Sequence, residues 1–113
     1  MAQFLIQFRY GSAALKRLVD RPEIDRAAEA AALIASLGGN MLGYWYALGD
    51  FDGVVLIEAP DTSVPAAVAM AVGGSGEVAR IQTTALLTMT EARRAMRTAA
   101  KATHLPSGAE SEG

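Results

Sequence analysis

The segment Gln3-Phe4-Leu5-Ile6-Gln7-Phe8-Arg9-Tyr10 alternates strictly, with Phe4, Ile6 and Phe8 on one side and Gln3, Leu5, Gln7 and Arg9 on the other. Successive side chains of a strand point to opposite faces, so this is a strand with two unlike faces. The first face demands a core. The second is too apolar for plain solvent and too polar for a core, and a fold built on this strand must account for both. The chain has 113 residues, 51% of them hydrophobic, which is enough for one packed domain and too little for two. Residues 1–102 read as that single domain, and residues 103–113 as a disordered tail rich in Ser, Gly and Glu.

Downstream, Gly11-Ser12 opens a short helical piece around Leu15 and Leu18. Asp20-Arg21-Pro22-Glu23 then restarts it with a capping-box spacing and an early proline. The main helix runs through Ile24, Ala28, Ala31 and Ile34 to a glycine stop at Gly38-Gly39. Met41 to Leu48, rich in aromatics, predicts a second strand, and Gly53 to Ala59 a third, largely buried one, with Gly49-Asp50-Phe51-Asp52 as the turn between them. Pro60-Asp61 caps an alanine-rich helix through Val68 and Val72, which Gly73-Gly74-Ser75-Gly76 ends. Glu77 to Met89 reads as a fourth strand, and Thr90-Glu91 starts a last helix carrying Ala92, Ala95, Met96 and Ala99.

The order strand, helix, strand, strand, helix, strand is the α+β, ferredoxin-like split pattern, with a four-stranded antiparallel sheet in the order 4-1-3-2 and one additional C-terminal helix. Both crossover helices then lie on one sheet face. The bare face is expected to be covered by a second subunit, because exposed apolar patches usually mark interfaces.

Composition narrows the chemistry. Ten Lys and Arg stand against 12 Asp and Glu, so there is no electrostatic footprint for nucleic acid or an acidic membrane. No cysteine and one histidine leave no disulfide framework, thiolate nucleophile or multi-histidine metal site, so neither metal nor cofactor is expected. Met1 to Phe8 has no basic residue ahead of its apolar stretch, and the longest charge-free run, Thr62 to Gly76, is broken by Pro65 and three glycines. It is shorter than the roughly 20 apolar residues of a spanning helix, and a cytoplasmic protein is expected.

Gly38-Gly39, Gly43-Tyr44-Trp45-Tyr46, Gly49-Asp50-Phe51-Asp52 and Glu58-Ala59-Pro60-Asp61 follow one another in a recognisable order. With Asp20 to Pro22 and the closing Arg80-Ile81-Gln82-Thr83-Thr84, the chain resembles the GYD-domain family over roughly residues 2 to 97. It departs at Phe51, where the family name has Tyr. Gly49, Phe51, Asp52, Pro60 and Asp61 are its structural motif. The resemblance implies a homo-oligomer of the dimeric α+β barrel type and assigns no catalytic residues.

A candidate site follows from strand geometry. With the two central strands taken as parallel, Arg9 and Glu58 fall at the same sheet edge, and an antiparallel fourth strand brings Arg80 there too. Parity adds Gln7 and Gln82 to the bare face, with Trp45 or Tyr46 as a wall, giving an apolar pocket with a few convergent polar groups. The cluster reads either as an Arg-Glu ion pair at an interface or as a site in which two arginines hold an anionic oxygen while Glu58 moves a proton. Flanking arginines would lower the Glu58 pKa and oppose that second role.

Other features have plainer readings. Asp52 before Gly53 suits a turn, Gly73 to Gly76 lacks the lysine of a phosphate loop, and Arg93, Arg97 and Lys101 form a basic stripe that suits a solvated face. His104 has no partners for a triad. Three functional classes remain: a small-molecule-binding module with its ligand between the open sheet face and helices or a partner subunit; a cofactor-independent enzyme performing proton transfer or oxygenation of an aromatic or enolic substrate in the same cavity; and a structural or accessory subunit.

Overall fold

The computed structural model describes residues 1–106. Four strands, β1 (Ala2–Tyr10), β2 (Asn40–Tyr46), β3 (Gly53–Ala59) and β4 (Val78–Leu86), form one antiparallel sheet in the order β2-β3-β1-β4. Helices α1 (Ser12–Asp20) and α2 (Arg26–Ser36) connect β1 to β2, α3 (Ser63–Ser75) connects β3 to β4, and α4 (Met89–Ala99) follows β4. The α+β class and the expected strand order are both present.

The core lies between the sheet and α1 to α3. Phe4, Ile6, Phe8, Val55 and Ile57 project from the sheet onto Ala14, Ile34, Val64 and Val68, and Ile57 is wholly buried. The alternation of β1 is thus used as the sequence predicts, with Phe4, Ile6 and Phe8 buried, and Tyr10 extends the buried row by one more alternate position. Close approach explains one glycine: a Cβ at Gly53 would lie 2.3 Å from the Phe8 ring, across the β1–β3 pairing.

Local chemistry sets the helix ends. The expected restart at Asp20 to Glu23 is corrected: Asp25 is the N-cap of α2, its carboxylate accepting the Ala28 N–H at 2.9 Å, and Pro22 lies in the preceding turn. Gly73 and Gly74 continue α3 rather than end it, and Gly76, at φ +80°, supplies the left-handed stop. Thr88 and Glu91 form a reciprocal capping box that starts α4. Residues 103–106 have no regular structure and His104 is exposed; the rest of the expected tail lies outside the described residues.

Candidate functional site

The antiparallel pairing of β1 with β3 overturns one expectation. Arg9 lies just beyond the Phe8–Gly53 pair, whereas Glu58 pairs with Gln3 at the opposite end of the sheet. Arg9 and Glu58 therefore do not meet. Glu58 instead accepts a hydrogen bond from Asn40 Nδ2 at 3.2 Å. The two-arginine, one-carboxylate arrangement required for proton transfer by Glu58 is absent.

Arg9 and Arg80 do come together, as a cross-strand pair, with Gln7 opposite Gln82 as the next pair on that face. Arg9 Nη1 donates to the Asp50 carbonyl at 2.8 Å, and the Arg80 guanidinium sits 5.0 Å from the centre of the Phe51 ring. Phe51 thus serves as an apolar platform that needs no phenolic hydroxyl. Trp45, paired with Val54 and 54% exposed, shares this open face, folded back over Gly43. Tyr46 is on the other face: it pairs with Gly53, and its ring meets Tyr44 edge-on at 5.9 Å. Gln7, Arg9, Trp45, Glu58, Arg80 and Gln82 are accordingly open-face residues, and Tyr46 is not.

The Gly49–Asp52 turn is structural in its contacts. Gly49 is at φ +140°, the Asp52 carboxylate accepts the Tyr10 N–H at 3.0 Å, and the Asp52 N–H donates to the Phe8 carbonyl at 2.8 Å. Asp61 is the acceptor for both the N–H and the hydroxyl of Ser63, which hold its carboxyl below the usual carboxylate range. Pro60, beside it, ends β3.

A cavity of about 300 Å³ lies on the helix-covered face. Its walls are apolar, with Ile6, Phe8, Val55, Ala30, Val68 and Val72 among them. Its polar groups come from Tyr10, Arg26, Glu29, Tyr44, Ser75 and Glu77. The hydroxyls of Tyr10 and Tyr44 are hydrogen-bonded at 2.5 Å, and the Arg26 guanidinium lies 5.4 Å from the centre of the Tyr10 ring. Arg26 also reaches Glu29 at 3.2 Å and Glu77 at 3.4 Å, and Glu77 takes a closer ion pair from Arg17 at 2.7 Å.

Two titrations follow. Burial, reinforced by the hydrogen bond with Tyr10, keeps the Tyr44 phenol protonated far above its ordinary 10.0. The Arg17 hydrogen bond, against a smaller opposing effect of burial, holds Glu77 below the usual carboxylate range. Tyr44 therefore remains a neutral hydrogen-bonding group at physiological pH, while Glu77 is an anion that neutralises its arginines.

Sequence reasoning missed this cluster. One signal for it was available: Tyr10 extends the Phe4, Ile6, Phe8 row by one more alternate position, and so belongs to the helix-covered face. Nothing in the spacing of Arg26, Tyr44 and Glu77 foretells their convergence, which needs α2, β2 and the start of β4 to be folded together.

No curated protein matches the chain. Among solved structures, FFRP-DM1 is 12% identical with a TM-score of 0.45, the alignment covering 77% of this chain and 100% of that one. MtbAldR is 13% identical with a TM-score of 0.51, over 94% of this chain and 55% of that one, a likeness of fold alone. The GYD domain profile matches residues 4–96, spanning every element from β1 through most of α4, with the Gly49–Asp52 turn at its centre. The chain belongs to the GYD-domain family.

Proposed function

We propose that this protein is a small-molecule-binding, homo-oligomeric module that holds an uncharged, mainly apolar ligand in the cavity between the sheet and its helices. The observation carrying this reading is the chemistry of that cavity: largely apolar walls, about 300 Å³ of space, and a polar end in which a pair of hydroxyls sits beside the mutually paired Arg26, Glu29 and Glu77. Ligand sites are commonly apolar clefts of roughly 300–1,000 Å³ with a few convergent polar groups, and this one is at the small end.

Counting protons sharpens the ligand class. Two phenols carry two protons, and the bond between Tyr10 and Tyr44 uses one. The accepting hydroxyl retains a proton to donate, which suits a carbonyl, ether or phenolic oxygen on the ligand. Arg26 is already balanced by Glu29 and Glu77, so it offers an anionic ligand little unspent charge. Anionic ligands are therefore disfavoured relative to neutral ones.

Assembly completes the reading. The open face presents Leu5, Val54, Leu56 and Trp45 together with its glutamines and arginines. A second copy covering that face, in a ferredoxin-like dimeric α+β barrel, would remove this apolar surface from water.

The test uses 2-naphthol as a neutral fluorescent probe and 2-naphthoate as its anionic counterpart. Saturable 2-naphthol binding, at least tenfold weaker naphthoate binding and loss of both in Ala30→Trp, which fills the cavity, are expected. Absence of neutral-probe binding, or binding that survives Ala30→Trp, would overturn the reading.

A further inference from the structure

Among the described residues, helix α4 has no supporting neighbour. None of its residues is buried, and it makes no substantial packing contact with the rest of the fold. The radius of gyration, 18.3 Å, exceeds the ~13 Å of a compact chain of this length, consistent with a projecting element. An 11-residue helix is below the roughly 12–15 residues at which isolated helices become even marginally stable in water. Yet α4 is well built: it has a complete capping box, an apolar stripe of Met89, Ala92, Met96 and Ala99, and Arg93 and Arg97 along the next arc. Met96 is 66% exposed. Such a helix is made to be packed against something.

The fold also contains an empty seat for a helix. Between α3 and β4 runs an open apolar groove of about 580 Å³, lined by Pro65, Ala66, Ala69, Met70, Thr83 and Ala85. It lies on the helix-covered side of the sheet, where α1 to α3 leave the second half of β4 exposed. Small residues line both the groove and the α4 stripe, which lets a helix axis approach to the short end of the usual 8–10 Å spacing. The lengths agree as well: α4 spans about 16 Å and α3 about 20 Å at 1.5 Å per residue.

We propose that α4 is an exchanged arm whose apolar stripe occupies the α3–β4 groove of a second copy of this chain. Two observations favour a second copy over return of α4 to its own groove. Only Leu87 and Thr88 separate β4 from α4, and Thr88 is extended and committed to the capping box, which fixes the direction in which the helix departs. A reciprocal exchange keeps that junction intact and fills both the groove and the stripe in each chain, as closed two-fold symmetry requires. A membrane surface fits less well, because the stripe is alanine and methionine and lacks the Trp, Phe and Leu that anchor interfacial helices. The groove and the ligand cavity share only Ile81, so the contact leaves the other walls of the cavity untouched.

The chain has no cysteine, which makes the test clean. A tagged Met96→Cys protein and an untagged Ala69→Cys protein are mixed, equilibrated and oxidised, with Arg97→Cys replacing Met96→Cys as the control. The expected result is a tagged–untagged disulfide from Met96→Cys in at least fivefold excess over the control. Sedimentation should show a dimer whose dissociation constant rises at least tenfold in Met96→Glu, while 2-naphthol binding stays that of the parent chain. Met96 is outside the core, so this variant folds, and circular dichroism confirms it. No mixed disulfide, cross-linking within one chain only in the Met96→Cys/Ala69→Cys double variant, an unchanged dissociation constant in Met96→Glu, or a monomer that binds anionic vesicles would each overturn the proposal.

Discussion

Val54 and Val55 are neighbours in β3 and chemically identical, yet they belong to different parts of the molecule. Val55 is buried under the helices beside Ile6 and lines the cavity, whereas Val54 faces outward next to Trp45. The same division runs along β1, where Phe4, Ile6 and Phe8 are closed over and Leu5, Gln7 and Arg9 are not. The lesson is that one face of the sheet holds the fold of the single chain and lines the cavity, while the other stays open to solvent. Two positions on adjacent residues can therefore be assigned opposite physical roles.

The largest expected contrast tests that division. Ile57→Ala should cost about 2–5 kcal/mol in urea unfolding, since it opens a hole in a fully buried site. Leu56→Ala, one residue away on the half-buried open face, should cost about 1 kcal/mol or less at low protein concentration and more at high concentration. Equal, concentration-independent losses at the two positions would erase the distinction.

A smaller effect is expected from Tyr44→Phe, which removes one half of the hydroxyl pair in a half-buried setting. A loss of about 0.5–1.5 kcal/mol of stability, with a larger proportional loss of 2-naphthol affinity, would identify the pair as the polar end of the cavity. Stability falling with affinity unchanged would assign it to the fold alone.

Titration separates the regions again. Because the Tyr44 pKa is raised in the folded chain, its contribution is fully present below about pH 10, where the unfolded phenol still keeps its proton, and is lost as pH rises beyond that. Ultraviolet titration of the phenols should therefore show a component that ionises only with alkaline unfolding, and Tyr44→Phe should remove it. Glu77 has the opposite sign. Its pKa is lowered, so its contribution is present above the ordinary carboxylate range and fades as pH falls below it. Arg17→Ala should flatten that acid limb slightly, a small effect because the pair is partly solvent-exposed.

Much of the fold was legible in the sequence because β1 and β3 have unambiguous patterns. The strict alternation of β1 identified its buried row, and glycine and alanine bounded β3 at Gly53 and Ala59. Strand direction was harder. Arg9 and Glu58 each stand near the end of a central strand, and only the antiparallel pairing, set by the connections through β2, sends them to opposite ends. Tyr44-Trp45-Tyr46 was ambiguous for a different reason: three large aromatics in a row have no polar alternation to reveal parity, and the irregular pairing between Met41 and Gly43 shifts the register just before them. The cavity cluster was illegible because its members converge from separate elements, whereas periodicity reports only on neighbours within one element.

The most direct test of the central claim is a methyl-resolved NMR titration of the parent chain with 2-naphthol. Binding in the helix-covered cavity predicts that the methyl signals of Ala30, Val55, Val68 and Val72 move together, with those of Val54 and Leu56 nearly still. Shifts concentrated at Val54, Leu56 and Leu5 would place the ligand on the open face and contradict the account.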